Sequence, residues 1–560
     1  MRHLMAISLG PVQSFIAAAR RTRDLWFGSK ILSDISQAAA SAIQEQHGIL
    51  IFPHEISGNI ANIILFEIET ADPAAVAKAA REAAGKRWRN VAERVLTNPG
   101  VSASIVKTRW ESQIDDFLEF FAAWVLYPDD AGYKTQRRRV MRLLEGRKHM
   151  RLFQPSIETQ MRIPKSSLDG ARETVLKELR KGEIRPKSLR LNQGEELDAI
   201  GLTKRLGAGL QLYPSVARIA ADGWLRGLLE SRPEILKLLT AQCSGIGFLT
   251  RIAASQYQHF PFDGIVLYPD RHEDLIEEAD DPEAARKLER LNIPELQKTA
   301  GIPSPYLAVL RADGDKMGAL IADLSSAARH REFSRKLAGF SVNAGTLVEK
   351  HFGALVYAGG DDVLALLPVD QALACADALQ RSFKECLRGI QATGPQPTLS
   401  VGIGIGHFME PLEDLLGYAA EAEKDAKLPD RNGLAIHFHT RGGEPSRIRG
   451  RWDSEFPDRL EMFIALYTDG SFGEKAGYDL ETCARRYDGL TGEAWLQEAL
   501  PGEAAFVLSR KRGAALLPEL EYLLRNATSA HELHKTAREL IVARRFAGAR
   551  REAAGKRLLA

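Results

Sequence analysis

The stretch GALVYAGGDDVLALLP, residues 353–368, decides how the second half of this chain folds. Two apolar runs flank a turn formed by Gly359, Gly360, Asp361 and Asp362. Apolar runs of this length on either side of a Gly-rich turn are typical of a β-hairpin. We therefore expect two antiparallel strands whose connecting turn carries a pair of carboxylates.

The hairpin lies within a regular alternation of strand and helix patterns. In chain order the patterns predict a strand at YLAVLRA (306–312), helices at 316–330 and 333–351, the two hairpin strands, a helix at 370–390, a strand at Thr398–Gly406, a helix at 411–427 and a strand at Leu434–His439. Up to the third-last element this is the βαββαβ order of a ferredoxin-like domain, to which a helix and a strand are added.

The N-terminal region shows the same order with an unrelated sequence. Leu4–Leu9, Ile49–Phe52 and Ile60–Ile68 are apolar or β-branched runs, and Ala75–Leu96 is typical of a helix. We therefore predict an α+β protein with two ferredoxin-like domains, a mixed helical domain between them and a helical C-terminal domain. The predicted domain boundaries are 1–160, 161–300, 301–440 and 441–560.

Two segments near the C-terminus are predicted to lie outside the folded cores. RGGEPSRIRGRW (441–452) is rich in Gly, Pro and Arg, which is typical of a bridge between domains. The tail from Val542 to Ala560 is basic, and chain ends are often frayed. We expect this tail to be exposed on the surface.

The composition is that of an ordinary globular protein. Hydrophobic residues make up 45% of the chain and charged residues 26%, which excludes a disordered or fibrous protein. Lys and Arg number 75 against 73 Asp and Glu, so the net charge of +2 argues against a polyanion-coating protein. The four Cys form no C-x-x-C pair, and the sequence shows neither a signal peptide nor an apolar run of about 18 residues. We expect a reduced, cytoplasmic location.

Positive charge is nevertheless concentrated in residues 134–151, KTQRRRVMRLLEGRKHMR, which contain eight Lys or Arg and one acid. A solvated helix face would explain this run. A contact with an RNA backbone or a triphosphate would also explain it, because phosphate binding needs clustered cations. The sequence leaves both interpretations open.

The strongest candidate site joins Asp313, at the end of YLAVLRAD, to Asp361 and Asp362 of the hairpin turn. In a ferredoxin-like sheet the first strand lies beside this hairpin, so the carboxylates meet at one edge. Carboxylates this close repel one another, which favours a bound cation, and hard oxygen ligands suit Mg²⁺ or Mn²⁺. Two such ions, about 3.5–4 Å apart, would activate an attacking hydroxyl and hold a leaving pyrophosphate. We therefore predict nucleotidyl transfer, with Gly359 and Gly360 leaving the backbone open to a phosphate. A plain hairpin turn is the simpler alternative.

Lys427 ends the predicted helix 411–427, which is placed to return over this site. As a functional residue it would clamp a triphosphate. As a structural residue it would be an ordinary cation at a helix C-terminus, which is mildly stabilising.

These motifs also carry a family resemblance. YAGGDDVLAL (357–366), preceded by ADGDKMG (312–318), resembles the palm/cyclase domain of the large subunit of type III CRISPR effector complexes, the Cas ten family. ISLGPVQSFIAAARRTRDLWFGSKILS (7–33) is similar to the first palm of its Cmr branch, type III-B. The similarity spans about residues 1–440 and continues through WESQIDDF (110–117), GRKHMRLFQP (146–155), KSSLDGARETVL (165–176) and GEELDAIGLTKRL (194–206).

The resemblance implies an activity. In that family ATP binds between two palm domains, and target RNA bound by the guide complex switches on synthesis of cyclic oligoadenylate, an antiviral messenger. It implies other Cmr-type subunits, guide RNA and target RNA as partners. Carried over by position, the metal ligands would be Asp313, Asp361 and Asp362, the latter two catalytic, and the nucleotide-binding residues Gly314, Asp315, Gly359, Gly360, Lys427, Gln13 and Arg20.

Two features of many family members are not found in this sequence. Their nuclease domain has an adjacent His-Asp pair, whereas none of the 13 His here is followed by Asp. Their inter-palm zinc finger has four Cys, whereas Cys243 stands alone in residues 160–245. We therefore expect no DNA-cleaving activity and no bound zinc.

Three other functions compete with this one. A diguanylate cyclase also joins a strand-end Asp to a Gly-Gly-acid hairpin, although here Asp-Val follows where Glu-Phe is usual. A template-directed polymerase would need a duplex-binding region that nothing in the sequence resembles. A catalytically silent scaffold of an RNA-guided complex is the non-enzymatic alternative.

Overall fold

Two β-sheets, one in each half of the chain, form the framework of the protein. The computed structural model describes residues 1–56, 58, 60–150, 163–181, 183–208, 213–279, 281–390, 396–490, 495–512, 524 and 529–556. The predicted boundary at 160/161 and part of the 146–155 motif lie outside these residues. In the described part of the chain, no helix is both long and apolar enough to cross a lipid bilayer.

The helices cover the sheets and fill the regions between them. Their bounds are α1 (Gln13–Ala17), α2 (Thr22–Glu45), α3 (Pro73–Leu96), α4 (Pro99–Ser104), α5 (Lys107–Asp116), α6 (Tyr133–His149), α7 (Ala199–Gly207), α8 (Val216–Ala220), α9 (Asp222–Ser231), α10 (Pro233–Ser244), α11 (His272–Glu278), α12 (Ala284–Glu289), α13 (Ile293–Ala300), α14 (Met317–Asp323), α15 (Ala327–Lys350), α16 (Val369–Cys386), α17 (Leu412–Lys427), α18 (Phe456–Thr468), α19 (Ala476–Arg485), α20 (Leu496–Arg512) and α21 (Ala530–Ala553).

The first sheet is antiparallel and has the ferredoxin-like strand order β2-β3-β1-β4. Its strands are β1 (Arg2–Gly10), β2 (Ile49–Phe52), β3 (Ile63–Glu69) and β4 (Glu119–Leu126). Alternate residues of β1 face opposite sides, as the period of a strand requires. Met5 and Ile7 pack in a core shared with α2 and α3, whereas Leu4 and Ala6 pack in a core shared with α6. The sheet is therefore covered on both faces.

The basic run is carried by α6, which packs on the first sheet through Val140 and Leu144. Most of its cations point to solvent, whereas Arg137 is 8% exposed. Burial lowers the pKa of Arg137. The exposed cations of α6 agree with a solvated helix face, and a contact with phosphate stays a prediction.

The second sheet has the strand order β10-β9-β8-β5-β7-β6. Its strands are β5 (Tyr306–Gly314), β6 (Ala354–Gly359), β7 (Asp362–Pro368), β8 (Leu399–His407), β9 (Gly433–Phe438) and β10 (Ser446–Arg451). The four strands β5 to β8 repeat the ferredoxin-like order, and β9 extends it in parallel to β8. The predicted strands of this half are present within a few residues. The predicted helix 316–330 is shorter, since α14 ends at Asp323, and α15 already begins at Ala327 rather than at 333.

The prediction of a bridge at 441–452 was wrong for its second half. Ser446–Arg451 form β10, which pairs with β9 from Ser446↔Phe438 to Arg451↔Gly433. The segment is an edge strand in which buried Ile448 and Gly450 alternate with arginines. Because an edge strand tolerates polar side chains on its open side, its composition resembles that of a linker.

The prediction of an exposed C-terminal tail was also wrong. Helix α21 is the centre of the C-terminal domain, with Leu540, Val542, Ala543 and Phe546 fully buried. Two arginines near its C-terminal end are paired with acids, Arg550 with Glu461 at 2.7 and 2.8 Å and Arg551 with Glu474 at 2.7 Å. Neighbouring α18, α19 and α9 supply the apolar surface and the acids that a basic helix needs in order to be buried.

The two halves contact each other because a helix of each half lies against a strand of the other. Helix α2 of the first half contacts β6 of the second, and α15 of the second half contacts β2 of the first. Tyr133 Oη lies 2.7 Å from His330 Nδ1 across this contact, and Arg331 Nε donates to the carbonyl of Leu50 at 3.1 Å. The edges of both sheets are thereby held in a single arrangement.

We expect Glu552→Gln to change how stability depends on pH. Glu552 Oε1 accepts a hydrogen bond from the Ser304 amide at 2.9 Å, and burial and Asp370 raise its pKa to about 7, despite Arg226. The folded chain thus holds this proton more tightly than the unfolded chain, so the wild type loses stability as pH rises from about 4.5 to 7. Glutamine keeps the acceptor but does not titrate. Between pH 5 and 7.5 the free energy of unfolding of the variant should rise by about 2 kcal/mol relative to that of the wild type. The unfolding midpoints of both proteins across this pH range measure the difference. Equal midpoint shifts in both proteins would contradict this.

Candidate active site

The register of two strands brings the acidic residues together. Strand β5 pairs with β7 from Leu307↔Pro368 to Ala312↔Val363, so Asp313 follows beside Asp362. Strands β6 and β7 close at Gly359↔Asp362, which leaves Gly360 and Asp361 as the turn. The predicted meeting of the β5 end with the hairpin turn is confirmed as geometry.

Three glycines lie near this turn, and two of them have a structural reason to be glycine. Gly360 has φ +71° at the first turn position, where a left-handed backbone is needed. Gly314 lies against Asp361, because a Cβ on it would be 2.8 Å from Asp361 Cβ. Gly359 has neither reason, since a Cβ there would meet nothing within 4 Å. The open space beside Gly359 is where a ligand can approach the hairpin backbone.

The carboxylates perturb one another strongly. Burial and the hydrogen bond with Asp313 raise the pKa of Asp362 to about 8, and repulsion from both neighbouring carboxylates adds to this. Burial and repulsion from Asp313 raise the pKa of Asp361 to about 6. Burial opposes ionisation of Asp313 too, but the hydrogen bond from Asp362 and the Lys427 ammonium outweigh it and hold its pKa below the usual value. Excess negative charge at this edge is thus relieved by a retained proton and a lysine.

Lys427 is the cation that faces these acids. Its Nζ lies 2.5 Å from Asp313 Oδ2 and 2.5 Å from Glu423 Oε1. Glu423 Oε2 lies 2.5 Å from Arg311 Nε, which completes a ladder of alternating charges. The helix that carries Lys427 approaches β8 closely because Gly402 lacks a side chain, and a Cβ there would be 2.0 Å from the Glu423 amide.

Sequence analysis missed Glu423, Arg311 and the close packing of this helix. Glu423 and Lys427 are four residues apart on α17, a spacing that puts them on one helix face. The alternating glycines of SVGIGIG (400–406) mark a strand that a helix approaches closely. The first pattern predicts the pairing of Glu423 with Lys427, and the second predicts the close approach of their helix to β8.

The fit of a divalent cation can be tested on these residues. Among the described residues, no group of three or more His, Cys, Asp or Glu side chains is arranged to hold a metal ion. Asp313 and Asp362 are nevertheless within hydrogen-bonding reach of each other, and both are hard oxygen ligands beside an open glycine. The donor set fits Mg²⁺ or Mn²⁺ once the Asp362 proton and the Lys427 ammonium are displaced.

Asp315 does not belong to this set. Its side chain is buried, and its oxygens accept hydrogen bonds from Thr398 Oγ1 at 2.7 Å, Ser400 Oγ at 2.9 and 3.0 Å, and the Asn432 amide at 3.0 Å. The carboxylate is fully used in joining the end of β5 to β8 and to the start of β9. We therefore withdraw Asp315 from the predicted nucleotide-binding residues.

We expect Asp315→Ala to lower stability. The substitution removes the acceptor of Ser400 and of the Asn432 amide, and unsatisfied buried donors cost about 1–3 kcal/mol each. A loss of about 2–4 kcal/mol in the free energy of unfolding should follow, measured by denaturant titration. Asp323→Ala, whose side chain is exposed beside Lys134, is the matched control and should change stability by less than about 0.5 kcal/mol.

The predicted residues of the first domain lie on a separate element. Gln13 begins α1 and is exposed, and exposed Arg20 donates to the Ser167 carbonyl at 2.8 Å. The segment between them is held by buried Lys204, which donates to the Phe15 carbonyl at 2.6 Å. Their contact with a nucleotide stays a prediction.

Sequence comparison finds similarity to known proteins in two segments of the chain. Residues 306–435 match the model of the Cas10/Cmr2 second palm domain, and residues 4–60 match that of the N-terminal region of the CRISPR-associated protein Cmr2. Segments in both halves of this chain are therefore similar to the Cas10/Cmr2 family. The Cmr subunit Cmr2 of the Pyrococcus furiosus CRISPR system is 34% identical over 173 residues. That alignment covers 26% of this chain and 20% of the Pyrococcus protein.

Solved structures share the fold. Type III-B Cmr-beta in the apo state matches with a TM-score of 0.65 at 14% identity, covering 92% of this chain and 78% of that chain. Type III-B Cmr-beta bound to cognate target RNA matches with a TM-score of 0.63 at 15% identity, covering 92% and 79%. The chain therefore shares the α+β fold, with two palm domains and a helical C-terminal domain, with these structures.

Proposed function

We propose that this chain is the large subunit of a type III-B CRISPR antiviral effector complex and that it converts ATP to cyclic oligoadenylate when the complex binds target RNA. Its partners would be the other Cmr-type subunits, guide RNA and target RNA. The main support for nucleotidyl transfer is that the carboxylates of Asp313 and Asp362 lie in contact beside the accessible backbone of Gly359. The similarity of residues 306–435 and 4–60 to the Cas10/Cmr2 family models supports the assembly.

The reaction joins two adenylates. The ribose 3′-hydroxyl of one attacks the α-phosphate of an ATP, a new P–O bond forms, and the bond to pyrophosphate breaks as the hydroxyl proton is released. Asp313 and Asp362, with Asp361 at the turn, would hold two Mg²⁺ or Mn²⁺ ions. When bound, such ions stabilise the negative charge on the attacking and leaving oxygens.

The residues of the chain would prepare the site in three ways. Gly359 leaves room for a phosphate next to the hairpin. Lys427, now on Asp313, would move to the triphosphate when a cation replaces it, while Glu423 keeps it within reach. Asp362 would release its proton on binding a cation, because metal ligands must be deprotonated.

The test uses the assembled complex with matching target RNA, ATP and Mg²⁺ or Mn²⁺. We expect pyrophosphate and oligoadenylate to appear together, and neither to form with a non-matching RNA. The Asp361→Ala, Asp362→Ala double variant should assemble and bind target RNA but form no product. A double variant as active as the parent would refute the site, and an inactive parent complex would leave the scaffold function instead.

The two expected absences are tested on the same preparation. Metal-dependent cleavage of single-stranded DNA that a point mutation in this chain abolishes would contradict the first. Stoichiometric zinc in the purified chain would contradict the second.

A further inference from the structure

A second cavity lies at the far end of β5 from the acidic site. Its volume is about 650 Å³, and it is enclosed by the β9–β10 loop, the start of β5 and helices α19 and α21. Tyr306 and Asp313 are seven residues apart on β5, which at about 3.3 Å per residue separates the two places by about 23 Å. The cavity is therefore distinct from the site of the proposed nucleotidyl transfer.

Arginines dominate the charge of this cavity. Its lining includes Arg441, Arg485, Arg538 and Arg545, against two carboxylates, those of Glu444 and Glu481. Glu481 is engaged by Arg485 at 3.2 Å, and the guanidinium of Arg545 lies 5.2 Å from the ring centre of Phe438. Arg441 and Arg538 are exposed and have no ion-pair partner among the described residues. The cavity thus carries positive charge that an anion would neutralise.

Aromatic rings stand beside these cations. Tyr478 is 40% exposed at the wall formed by α19, with the Arg544 guanidinium 5.8 Å from its ring centre. Tyr306 is partly exposed at the start of β5 and packs against Phe438. The loop opposite them contains Gly442 and Gly443, and no atom lies within 4 Å of a Cβ built on Gly442. Guanidinium groups bind phosphate through paired hydrogen bonds, and an exposed aromatic face stacks on a nucleobase. A pocket of this volume is typical of a small-molecule site.

We propose that this cavity binds one nucleotide unit, either from single-stranded RNA or as a free nucleotide, with its phosphate on Arg441 and Arg538 and its base on Tyr478. The aromatic wall favours a nucleotide over an acidic peptide, which needs the cations but has no base to stack. The inference does not depend on nucleotidyl transfer, because it concerns residues at the opposite end of the strand.

The test measures binding of fluorescent decauridylate and of ATP to the full chain in EDTA, which removes divalent cations from the acidic site. Arg441→Glu with Arg538→Glu should weaken decauridylate binding at least about 10-fold, since contacts between charged groups are lost and reversed. Tyr478→Ala should weaken it at least about 5-fold through loss of stacking. Arg286→Glu on α12 with Arg290→Glu directly after that helix makes the same charge change outside the cavity and should leave binding within about 2-fold.

Each outcome decides for or against the proposal. Loss of ATP binding alone in the cavity variants would identify a free nucleotide as the ligand, and loss of decauridylate binding would identify RNA. Equal weakening by the α12 variant would refute the cavity, because only general charge would then matter. Displacement of decauridylate by polyglutamate, with no effect of Tyr478→Ala, would refute it in favour of an acidic peptide. Decauridylate binding in EDTA does not require nucleotidyl transfer, so this result is distinguishable from failure of the proposed function.

Discussion

Asp362→Asn is expected to lower the rate of ATP conversion by the target-bound complex at least about 10³-fold while leaving the chain as stable as the wild type. The carboxyl of Asp362 retains its proton up to about pH 8 and shares a hydrogen bond with Asp313. The asparagine amide can donate the same hydrogen bond, so the fold around the hairpin should not change. It cannot become a carboxylate, so it is a poor ligand for a hard divalent cation.

The measurements are pyrophosphate release and the thermal unfolding midpoint of the same preparation. Asp315→Asn is the informative comparison, because that side chain is bound to Thr398, Ser400 and the Asn432 amide. It should lower the unfolding midpoint and reduce activity only to the extent that folded protein is lost. Full activity in Asp362→Asn would exclude this carboxylate as a metal ligand.

Lys427→Met is expected to raise the KM for ATP about 10- to 100-fold and to change kcat less. A hydrogen bond to a charged group is worth about 1.5–3 kcal/mol, and methionine keeps the length of the side chain without its charge. Loss of a contact made equally in the bound substrate and in the transition state raises KM and leaves kcat unchanged. Steady-state kinetics of the activated complex, with ATP varied at saturating metal, measure both constants.

A lysine on the same helix is the matched control. Lys424 is exposed on α17, and Lys424→Met should leave both constants within about 2-fold. A second effect is specific to Lys427, because it also neutralises Asp313 in the metal-free chain. Without that competitor, divalent cations should bind the variant more tightly at low ATP. If both the KM and the metal affinity were unchanged, Lys427 would have only the structural role of a cation at a helix C-terminus.

Strand and helix patterns were sufficient to predict the two ferredoxin-like units. In that topology the first strand always lies beside the hairpin. The adjacency of Asp313 to the turn at Gly359 to Asp362 therefore followed from strand order alone. Helix α21 and strand β10 were misread for a common reason. Their basic or Gly-rich compositions are typical of exposed segments, and their burial depends on acids and apolar surface that come from other elements.

Asp313 and Asp315 show where sequence reasoning reaches its limit within the site. Both are strand-end carboxylates in one motif, and their residue type makes them equal candidates. The structure gives them opposite surroundings, since Asp315 is saturated by hydrogen bonds from β8 and the start of β9, whereas Asp313 faces Asp362 and Lys427. Asp315 lies one residue beyond the end of β5, so the alternation of strand faces does not decide where its side chain points. The neighbours of each carboxylate come from distant parts of the chain.

The sequence alone determined the topology and the acidic edge, because each depends on local patterns of residues whose order along the chain is their order in the fold. The tertiary structure decided which charges share space. It placed a lysine on the first carboxylate, raised the pKa of Asp362 through burial and its contact with Asp313, and gathered arginines and tyrosines at the far end of β5. Electrostatic energies between groups depend on their separation and burial, and these arise only when helices pack on sheets.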